Sequence, residues 1–212
     1  MPLDSASRGP IRRRGAVARG LTLALACALV ACDLVGCAQV PPPREEPSPL
    51  LSLDLPPVSL GRRLALSQVV IGEFDGRTES LRFEVDVSAS RLAIVGLTHL
   101  GAPLFTLIDE AGDVRVEAYL GEAFPFDPRY LLTDFQLTYW PAPALRPALQ
   151  TKGLTLEEAA DGRTRRIVTG AGAPIVAISY PHTSDDGGEI VLKHYDHPYL
   201  LRIRTVTEKA GR

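Results

Sequence analysis

Apolar and polar residues alternate along much of the chain after residue 60. In the clearest run, residues 81–87, apolar side chains occupy the odd positions and charged side chains the even ones, in the order LRFEVDV. A similar alternation occurs at residues 114–120 and at residues 199–204. Because successive side chains of a strand point to opposite faces, these runs predict antiparallel strands with one buried and one solvated face.

Short stretches that favour tight turns separate the alternating runs. Hairpin turns need residues that tolerate positive φ, and glycine and aspartate supply them. These stretches are Asp75-Gly76, Gly112-Asp113, Asp161-Gly162, Gly170–Gly172 and Asp186–Gly188. The spacing predicts a meander of about five strands from Leu64 to Leu120 and a second of about five strands from Leu154 to Thr207.

The interval from Phe126 to Leu149 follows a helical period instead. Its apolar residues recur three or four positions apart, at Leu131, Leu132, Phe135 and Tyr139. Asp127 and Pro128 favour a helix start, Pro141 favours its end, and a second short helix is predicted over Pro143–Leu149. Two helices between two meanders predict a mainly β fold with an α insert. We expect a curved antiparallel half-barrel of about ten strands, with the helical insert over its concave face.

Such a curved sheet presents more concave apolar surface than two short helices can pack tightly. A cleft of this kind either binds an apolar ligand or collapses. The candidate lining residues are Leu132, Phe135, Tyr139 and Trp140. The alternative is that these four side chains simply pack against the sheet as core.

The first 36 residues have the zones of a secretion signal. Four arginines, Arg12, Arg13, Arg14 and Arg19, precede the apolar stretch from Gly20 to Ala31. That stretch is well short of the roughly 20 apolar residues that a transmembrane helix needs. Residues 1–36 are therefore predicted to direct export rather than to span a membrane.

The end of this signal resembles the lipobox of bacterial lipoproteins, in the order Leu34-Val35-Gly36-Cys37. The resemblance implies that the thiol of Cys37 is lipidated and anchors the chain to a membrane. Residues 29–32 also fit, so Cys32 is the alternative anchor, and Cys27 is a third. With Cys37 as the mature N-terminus, the following Ala38 is compatible with sorting to the outer membrane. With Cys32, the following aspartate implies retention at the inner membrane.

After the signal, residues 37–60 are dense in proline and are predicted to be an extended tether. The half-barrel domain is expected over residues 61–207, with residues 208–212 as a tail. Loss of the signal shifts the formal charge from −2 to −5, because five arginines and two aspartates are removed. A mildly acidic domain argues against nucleic acid as a partner. With Cys37 alkylated, neither a disulfide nor a thiolate metal site is expected.

Motifs for catalysis or cofactors are weak. The histidines of residues 194–197 are three positions apart, so in a regular strand they face opposite sides and cannot share a metal ion. His99 and His182 lie in predicted loops. The chain has no Gly-x-Ser-x-Gly elbow, and after Cys37 it has no cysteine that could act as a nucleophile. We therefore expect a non-enzymatic protein without cofactor or metal.

Three segments resemble a bacterial lipoprotein family of unknown function that is encoded beside aryl-polyene and related fatty-acid-like biosynthesis genes. They are residues 92–116, residues 131–149 with the step Trp140-Pro141, and residues 175–205. That family is similar to LolB, the outer-membrane lipoprotein receptor that takes lipoproteins from the carrier LolA. LolB holds their acyl chains in a half-open barrel capped by helices.

This resemblance implies specific roles. Leu100-Gly101 matches a loop of LolB that protrudes and assists delivery to the membrane, although His99 stands where a proline is usual. The implied function is the handling of lipid or lipoprotein acyl chains at the periplasmic face of the outer membrane, in the service of polyene-type lipid export. The implied partners are the membrane, an acylated cargo and a LolA-like periplasmic carrier. The alternative is a structural envelope lipoprotein that binds a protein partner and carries no lipid.

Overall fold

The computed structural model describes residues 51–110, 112–119, 128–181 and 188–210. The predicted signal segment, all three cysteines, the first part of the predicted tether and most of the predicted turn Asp186–Gly188 lie outside this range. The described elements are a short 3₁₀ turn, ten strands and two α-helices. The turn spans Pro57–Leu60. The first five strands are β1 (Leu64–Phe74), β2 (Arg77–Val87), β3 (Arg91–Leu97), β4 (Pro103–Glu110) and β5 (Asp113–Ala118). The helices are α1 (Pro128–Tyr139) and α2 (Ala142–Gln150). The last five strands are β6 (Leu154–Glu158), β7 (Thr164–Thr169), β8 (Pro174–Ser179), β9 (Glu189–His194) and β10 (Tyr199–Ala210).

All ten strands form one antiparallel sheet in the order β5-β4-β3-β2-β1-β10-β9-β8-β7-β6. The two predicted meanders are therefore confirmed, and the first and last strands join them at the centre of the sheet. β1 pairs with β2 on one side and with β10 on the other. The hairpin between β1 and β2 turns at Asp75 (φ 48°) and Gly76 (φ 71°), two consecutive left-handed residues that suit the twist of the strands.

The alternation in β2 places its apolar residues as predicted. Phe83, Val85 and Val87 are buried, whereas Arg82 and Asp86 are exposed. The buried residues of β2 join a single core that draws on strands from both meanders and on both helices. One face of the sheet is therefore the core face, and it is the face on which α1 lies.

The sheet curves around α1. Gln68 of β1 hydrogen-bonds to Tyr139 of this helix. Arg165 of β7 hydrogen-bonds to the carbonyl of Leu137 in the helix and to that of Trp140 just after it. Four strand spacings nevertheless separate β1 from β7 in the sheet. In a flat sheet these two strands would be roughly 19 Å apart, about twice the diameter of a helix. The predicted fold class, a curved open antiparallel sheet with a helical insert on its concave side, is confirmed.

The part of α1 after its first turn is buried on every side. All residues from Leu132 to Thr138 are buried, including four with polar side chains: Thr133, Asp134, Gln136 and Thr138. The sheet covers one side of the helix, and residues 51–60 cover another. We call residues 51–60 the N-terminal strap. Within it Leu53, Leu55 and Leu60 are buried.

The strap changes the predicted domain boundary. Residues 51–60 were assigned to the tether, yet the Leu53 amide donates to Thr133 Oγ1 (3.0 Å), and Trp140 Nε1 donates to Ser59 Oγ (2.7 Å). The prediction was wrong here because proline density suggested a solvated segment, while the leucines between the prolines have an apolar helix to cover. The predicted tail also begins too early, since β10 continues beside β1 as far as Ala210.

α2 protects one open edge of the sheet. Leu145 and Leu149 of this helix are buried, and Arg146 Nη1 donates to the Leu156 carbonyl of edge strand β6 (2.8 Å). Covering an edge strand in this way limits its pairing with other chains. Residues 51–210 thus contain the sheet, both helices and the described core, which is what a domain needs to fold without the residues before it. Within the described residues, no helix is both long and apolar enough to cross a membrane.

Candidate functional site

A cavity of about 420 Å³ opens between the start of α1 and the sheet. Its volume falls within the range of small-molecule sites. The sheet contributes ten lining residues from β1, β2, β10 and the turns beside them: Val70, Gly72, Phe74, Asp75, Glu79, Leu81, Phe83, Pro198, Tyr199 and Leu201. α1 contributes Tyr130, Leu131 and Asp134, and His197 lies in the turn before β10. The cavity therefore occupies one end of the concave face, beside the β1–β2 hairpin.

The interior of this cavity is apolar, and its polar groups lie mainly toward the hairpin. Gly72 leaves space in the wall, because a Cβ at this position would make only ordinary contacts, the nearest at 3.5 Å to Leu201. A smaller cavity of about 30 Å³ adjoins the first under α1 and shares five lining residues with it: Val70, Phe83, Leu131, Asp134 and Leu201. Together they form a mainly apolar path that leads from the hairpin beneath the helix.

A buried polar cluster holds α1 against β9 and β10 beside this path. Asp134 Oδ1 lies 2.8 Å from His194 Nε2, and Asp134 Oδ2 accepts a hydrogen bond from the Tyr199 hydroxyl at 2.8 Å. The rings of His194 and Tyr199 stack with their centroids 4.2 Å apart. Burial, together with the Asp134 carboxylate, raises the pKa of Tyr199 above its ordinary value. Both carboxylate oxygens are used, so Asp134 fixes the position of the helix at the cavity wall.

A second polar contact fixes the other end of α1. The Gln68 amide hydrogen-bonds to the Tyr139 hydroxyl and also donates to Thr205 Oγ1 at 3.1 Å. Burial raises the pKa of Tyr139. The contacts at Asp134 and Tyr139 hold the helix at a fixed distance from the sheet, which keeps the space beneath it open.

The predicted lining residues were partly wrong. Leu132 (3% exposed) and Trp140 (0%) are core residues and line neither cavity, whereas Phe135 and Tyr139 line only the smaller one. Trp140 instead packs edge-on against Phe135, with the ring centroids 5.9 Å apart. The helix turns Leu131 and Asp134 toward the main cavity. The spacing of Leu131 with Phe135 could have shown this face from the sequence, but nothing in the sequence marked Asp134 as a buried residue.

Leu100 and Gly101, the predicted delivery loop, lie between β3 and β4. Leu100 is 84% exposed, and Gly101 adopts φ 83°. The loop is tight, since the Gly101 amide donates to the Thr98 carbonyl (2.9 Å) and the Ala102 amide donates to Thr98 Oγ1 (3.0 Å). A large apolar side chain is thus held in solvent on a well-fixed turn. The delivery role itself stays a prediction.

The histidines lie in separate surroundings. His194 is buried against Asp134, and His197 lines the cavity. His99 is exposed in the loop next to Leu100, and His182 lies outside the described residues. Among the residues that the structure describes, no group of three or more His, Cys, Asp or Glu side chains is placed to hold a metal ion.

In sequence, residues 65–207 match the family described as "Protein of unknown function (DUF3261)". The match spans more than half of the chain, which therefore belongs to this family. No curated protein matches the chain in sequence.

Two solved structures resemble the fold distantly. One is described as an outer membrane lipoprotein-sorting protein domain from Vibrio parahaemolyticus, with a TM-score of 0.37 and 6% identity over 71% of this chain and 86% of that one. The other is a DUF1329 family protein from Desulfovibrio piger, with a TM-score of 0.30 and 9% identity over 71% of this chain and 86% of that one.

Proposed function

We propose that this protein is a non-enzymatic, lipid-anchored periplasmic protein that holds an acyl chain in the cavity under α1. The observation that supports the proposal most strongly is the cavity itself, an apolar space of about 420 Å³ on the concave face of the sheet. The helix above it is held by polar contacts at Asp134 and Tyr139 rather than collapsed onto the sheet. An acyl chain has the shape and polarity to fill such a path.

The energetics favour a long apolar ligand. Each buried methylene contributes about 0.8 kcal/mol, so roughly ten of them contribute about 8 kcal/mol. Association costs at least about 4 kcal/mol in lost freedom. The affinity therefore depends on how many methylenes the cavity accommodates, and a side chain that occupies the cavity should weaken binding strongly.

The cavity can be tested by filling it. Gly72→Leu places a side chain in the cavity wall at a backbone position without positive φ, and we expect it to weaken acyl binding about a hundredfold by displacing three or four methylenes. Gly170→Leu is the matched control, because a Cβ there meets nothing within 4 Å. Native mass spectrometry of the unlipidated chain Ala38–Arg212 would detect bound or added acyl ligand. Absence of any ligand on the unsubstituted chain would overturn the proposal and leave the protein-binding scaffold as the alternative.

The proposal places the protein at the outer membrane through lipidated Cys37, with an acylated lipoprotein or lipid as cargo and a LolA-like carrier as the donor. The family resemblance implies that the gene lies beside aryl-polyene biosynthesis genes. We therefore include polyene-type lipids among the proposed cargoes. A peptide map of the mature N-terminus tests the anchor. If the mature chain begins at Cys32, the inner membrane replaces the outer membrane in the proposal.

Leu100 is proposed to assist delivery of the cargo to the membrane. It is 84% exposed on a fixed turn, so Leu100→Glu should abolish transfer to membrane vesicles and leave acyl binding unchanged. His99→Glu, at the exposed position next to it, controls for the added charge. If both variants block transfer equally, or if Leu100→Glu also abolishes acyl binding, Leu100 does not have this role.

A further inference from the structure

Three acidic residues and His197 are the ionisable Asp, Glu, His, Lys or Arg residues that line the cavity. Asp75 and Glu79 are exposed on the β1–β2 hairpin, at the solvent end of the cavity, and Asp134 lies in its wall. In the described part of the chain, no lysine or arginine lines the cavity. Arg77 and Arg129 are exposed and are not lining residues. The acidic side chains that line the cavity entrance are therefore Asp75 and Glu79, with Arg77 between them on the same hairpin but outside the lining.

Two of the stretches that the structure does not describe are free of lysine and arginine in sequence. Residues 120–127 and 182–187 contain no lysine or arginine at all. A carboxylate or phosphate head group would therefore find no lysine or arginine among the described residues that line the cavity, and it would be repelled by Asp75 and Glu79.

We expect the head group of a bound ligand to stay at this entrance. Deeper in the cavity the walls are mainly apolar. The acidic residue there, Asp134, already has partners: its Oδ1 pairs with His194, and its Oδ2 accepts a hydrogen bond from Tyr199. Transfer of a charged group into such surroundings without a partner is costly. A ligand therefore enters with its apolar chain first and leaves its head beside Asp75 and Glu79.

Building on the proposed function, we propose that the cavity selects acyl or alkyl chains whose head group is neutral or cationic, as in the acylated amino terminus of a lipoprotein. Free fatty acids and acidic phospholipids are rejected. Tyr130, 36% exposed at the cavity, offers a hydroxyl that can hydrogen-bond to an ester or amide group of such a head.

The test uses three ligands with the same chain and different heads: dodecylamine, dodecanol and dodecanoate. At neutral pH the amine is protonated and the carboxylic acid is ionised. Binding to the chain Ala38–Arg212 is measured by native mass spectrometry and by calorimetry, below the micellar range. We expect dodecylamine to bind roughly tenfold more tightly than dodecanoate, with dodecanol between them, and the difference to shrink as salt is added.

A double variant assigns the preference to the two entrance carboxylates. Asp75→Asn combined with Glu79→Gln should reduce the amine-to-carboxylate ratio to about twofold or less. Asparagine tolerates the left-handed conformation of Asp75 (φ 48°), so the turn is preserved. The control is Glu117→Gln with Glu157→Gln, which removes two exposed carboxylates from the edge strands β5 and β6 and should leave the ratio unchanged.

The outcomes separate the two proposals. If none of the three ligands binds, the proposed function fails, and this inference fails with it. If all three bind with equal affinity, or dodecanoate binds most tightly, only the head-group selectivity is overturned. An unchanged ratio in the Asp75/Glu79 double variant would overturn the assignment to these carboxylates.

Discussion

Arg165 of β7 donates hydrogen bonds to backbone carbonyls at the end of α1. Its Nη1 donates to the carbonyls of Leu137 (2.5 Å) and Trp140 (3.0 Å), and its Nη2 donates to Glu158 Oε1 (2.9 Å). The last carbonyls of a helix have no partner within the helix and carry partial negative charge, which a guanidinium neutralises. The Arg165 side chain is only 10% exposed, so water does not replace it easily.

Removal of this group should destabilise the fold strongly. Arg165→Met leaves the carbonyls of Leu137 and Trp140 without this donor, whereas Glu158 keeps its pair with Arg146 (3.4 Å). We expect the free energy of unfolding to fall by about 2–4 kcal/mol. Urea unfolding followed by circular dichroism measures the change. Arg166→Met is the control: this neighbour is 46% exposed and pairs with Glu157 at 3.4 Å, so its loss should cost less than about 1 kcal/mol. Equal losses in the two variants would contradict the capping role.

Tyr180 makes stability depend on alkaline pH. Its hydroxyl donates to the Thr138 carbonyl (2.9 Å), and burial raises its pKa from 10.0 to about 12. Between these values the tyrosine ionises in the unfolded chain and stays neutral in the folded one. The free energy of unfolding should therefore fall as the pH rises through this window, by up to about 3 kcal/mol from Tyr180.

Urea unfolding at a series of pH values from below 10 to about 12 tests this dependence. Tyr180→Phe should show a shallower decline, because it removes one contributor and leaves those of Tyr139 and Tyr199, whose pKa values burial also raises. If the unsubstituted protein and Tyr180→Phe decline with the same slope, Tyr180 does not contribute.

At the scale of the elements, a side chain of α1 makes the two backbone hydrogen bonds to the N-terminal strap that a neighbouring strand would make. The Gln136 side-chain amide accepts a hydrogen bond from the Leu55 amide (3.3 Å) and donates to the Leu55 carbonyl (3.0 Å). A single side chain thus replaces a strand neighbour for this stretch of strap. The polar face of α1 is therefore occupied by backbone rather than by solvent.

Loss of this pairing should release the strap. Gln136→Leu leaves the amide and carbonyl of Leu55 without partners, and we expect a loss of about 1–3 kcal/mol. The measurement is hydrogen exchange of residues 51–60, which should become faster while exchange in β1 and β10 changes less. Gln150→Leu, at the exposed end of α2, is the matched control and should leave strap exchange unchanged. Slow strap exchange in Gln136→Leu would show that the buried leucines and the contacts of Thr133 and Trp140 hold the strap without Gln136.

The elements were largely predictable because their signals are local. Alternation fixed the inward face of β2, the Asp75-Gly76 pair fixed its hairpin, and Pro141 separated the two helices, as observed. The strap was missed because its role depends on α1, more than seventy residues later. The burial of the polar residues of α1 was not visible from the sequence for the same reason: their partners, such as His194, come from distant strands.

At the scale of the whole molecule, the cavity could be expected but not located. Curvature and a helical insert predict a space on the concave face, yet which residues line it depends on the gap between α1 and the sheet. That gap is set by contacts such as those of Asp134 and Tyr139, which join residues far apart in sequence. Leu132 and Trp140 accordingly packed into the core, while Leu131 and Gly72 line the space.

The pairing of β1 with β10 has a consequence for the order of folding. Strands that are neighbours at the centre of the sheet are separated by almost the full length of the domain in the chain. A polypeptide that emerges from its N-terminus must therefore keep the inner edge of β1 unpaired until the final strand is available, and contacts of such long sequence separation form slowly. During that interval the exposed edge and the half-formed core are open to wrong partners, so a chaperone that shields them would protect this protein more than one built from successive local units.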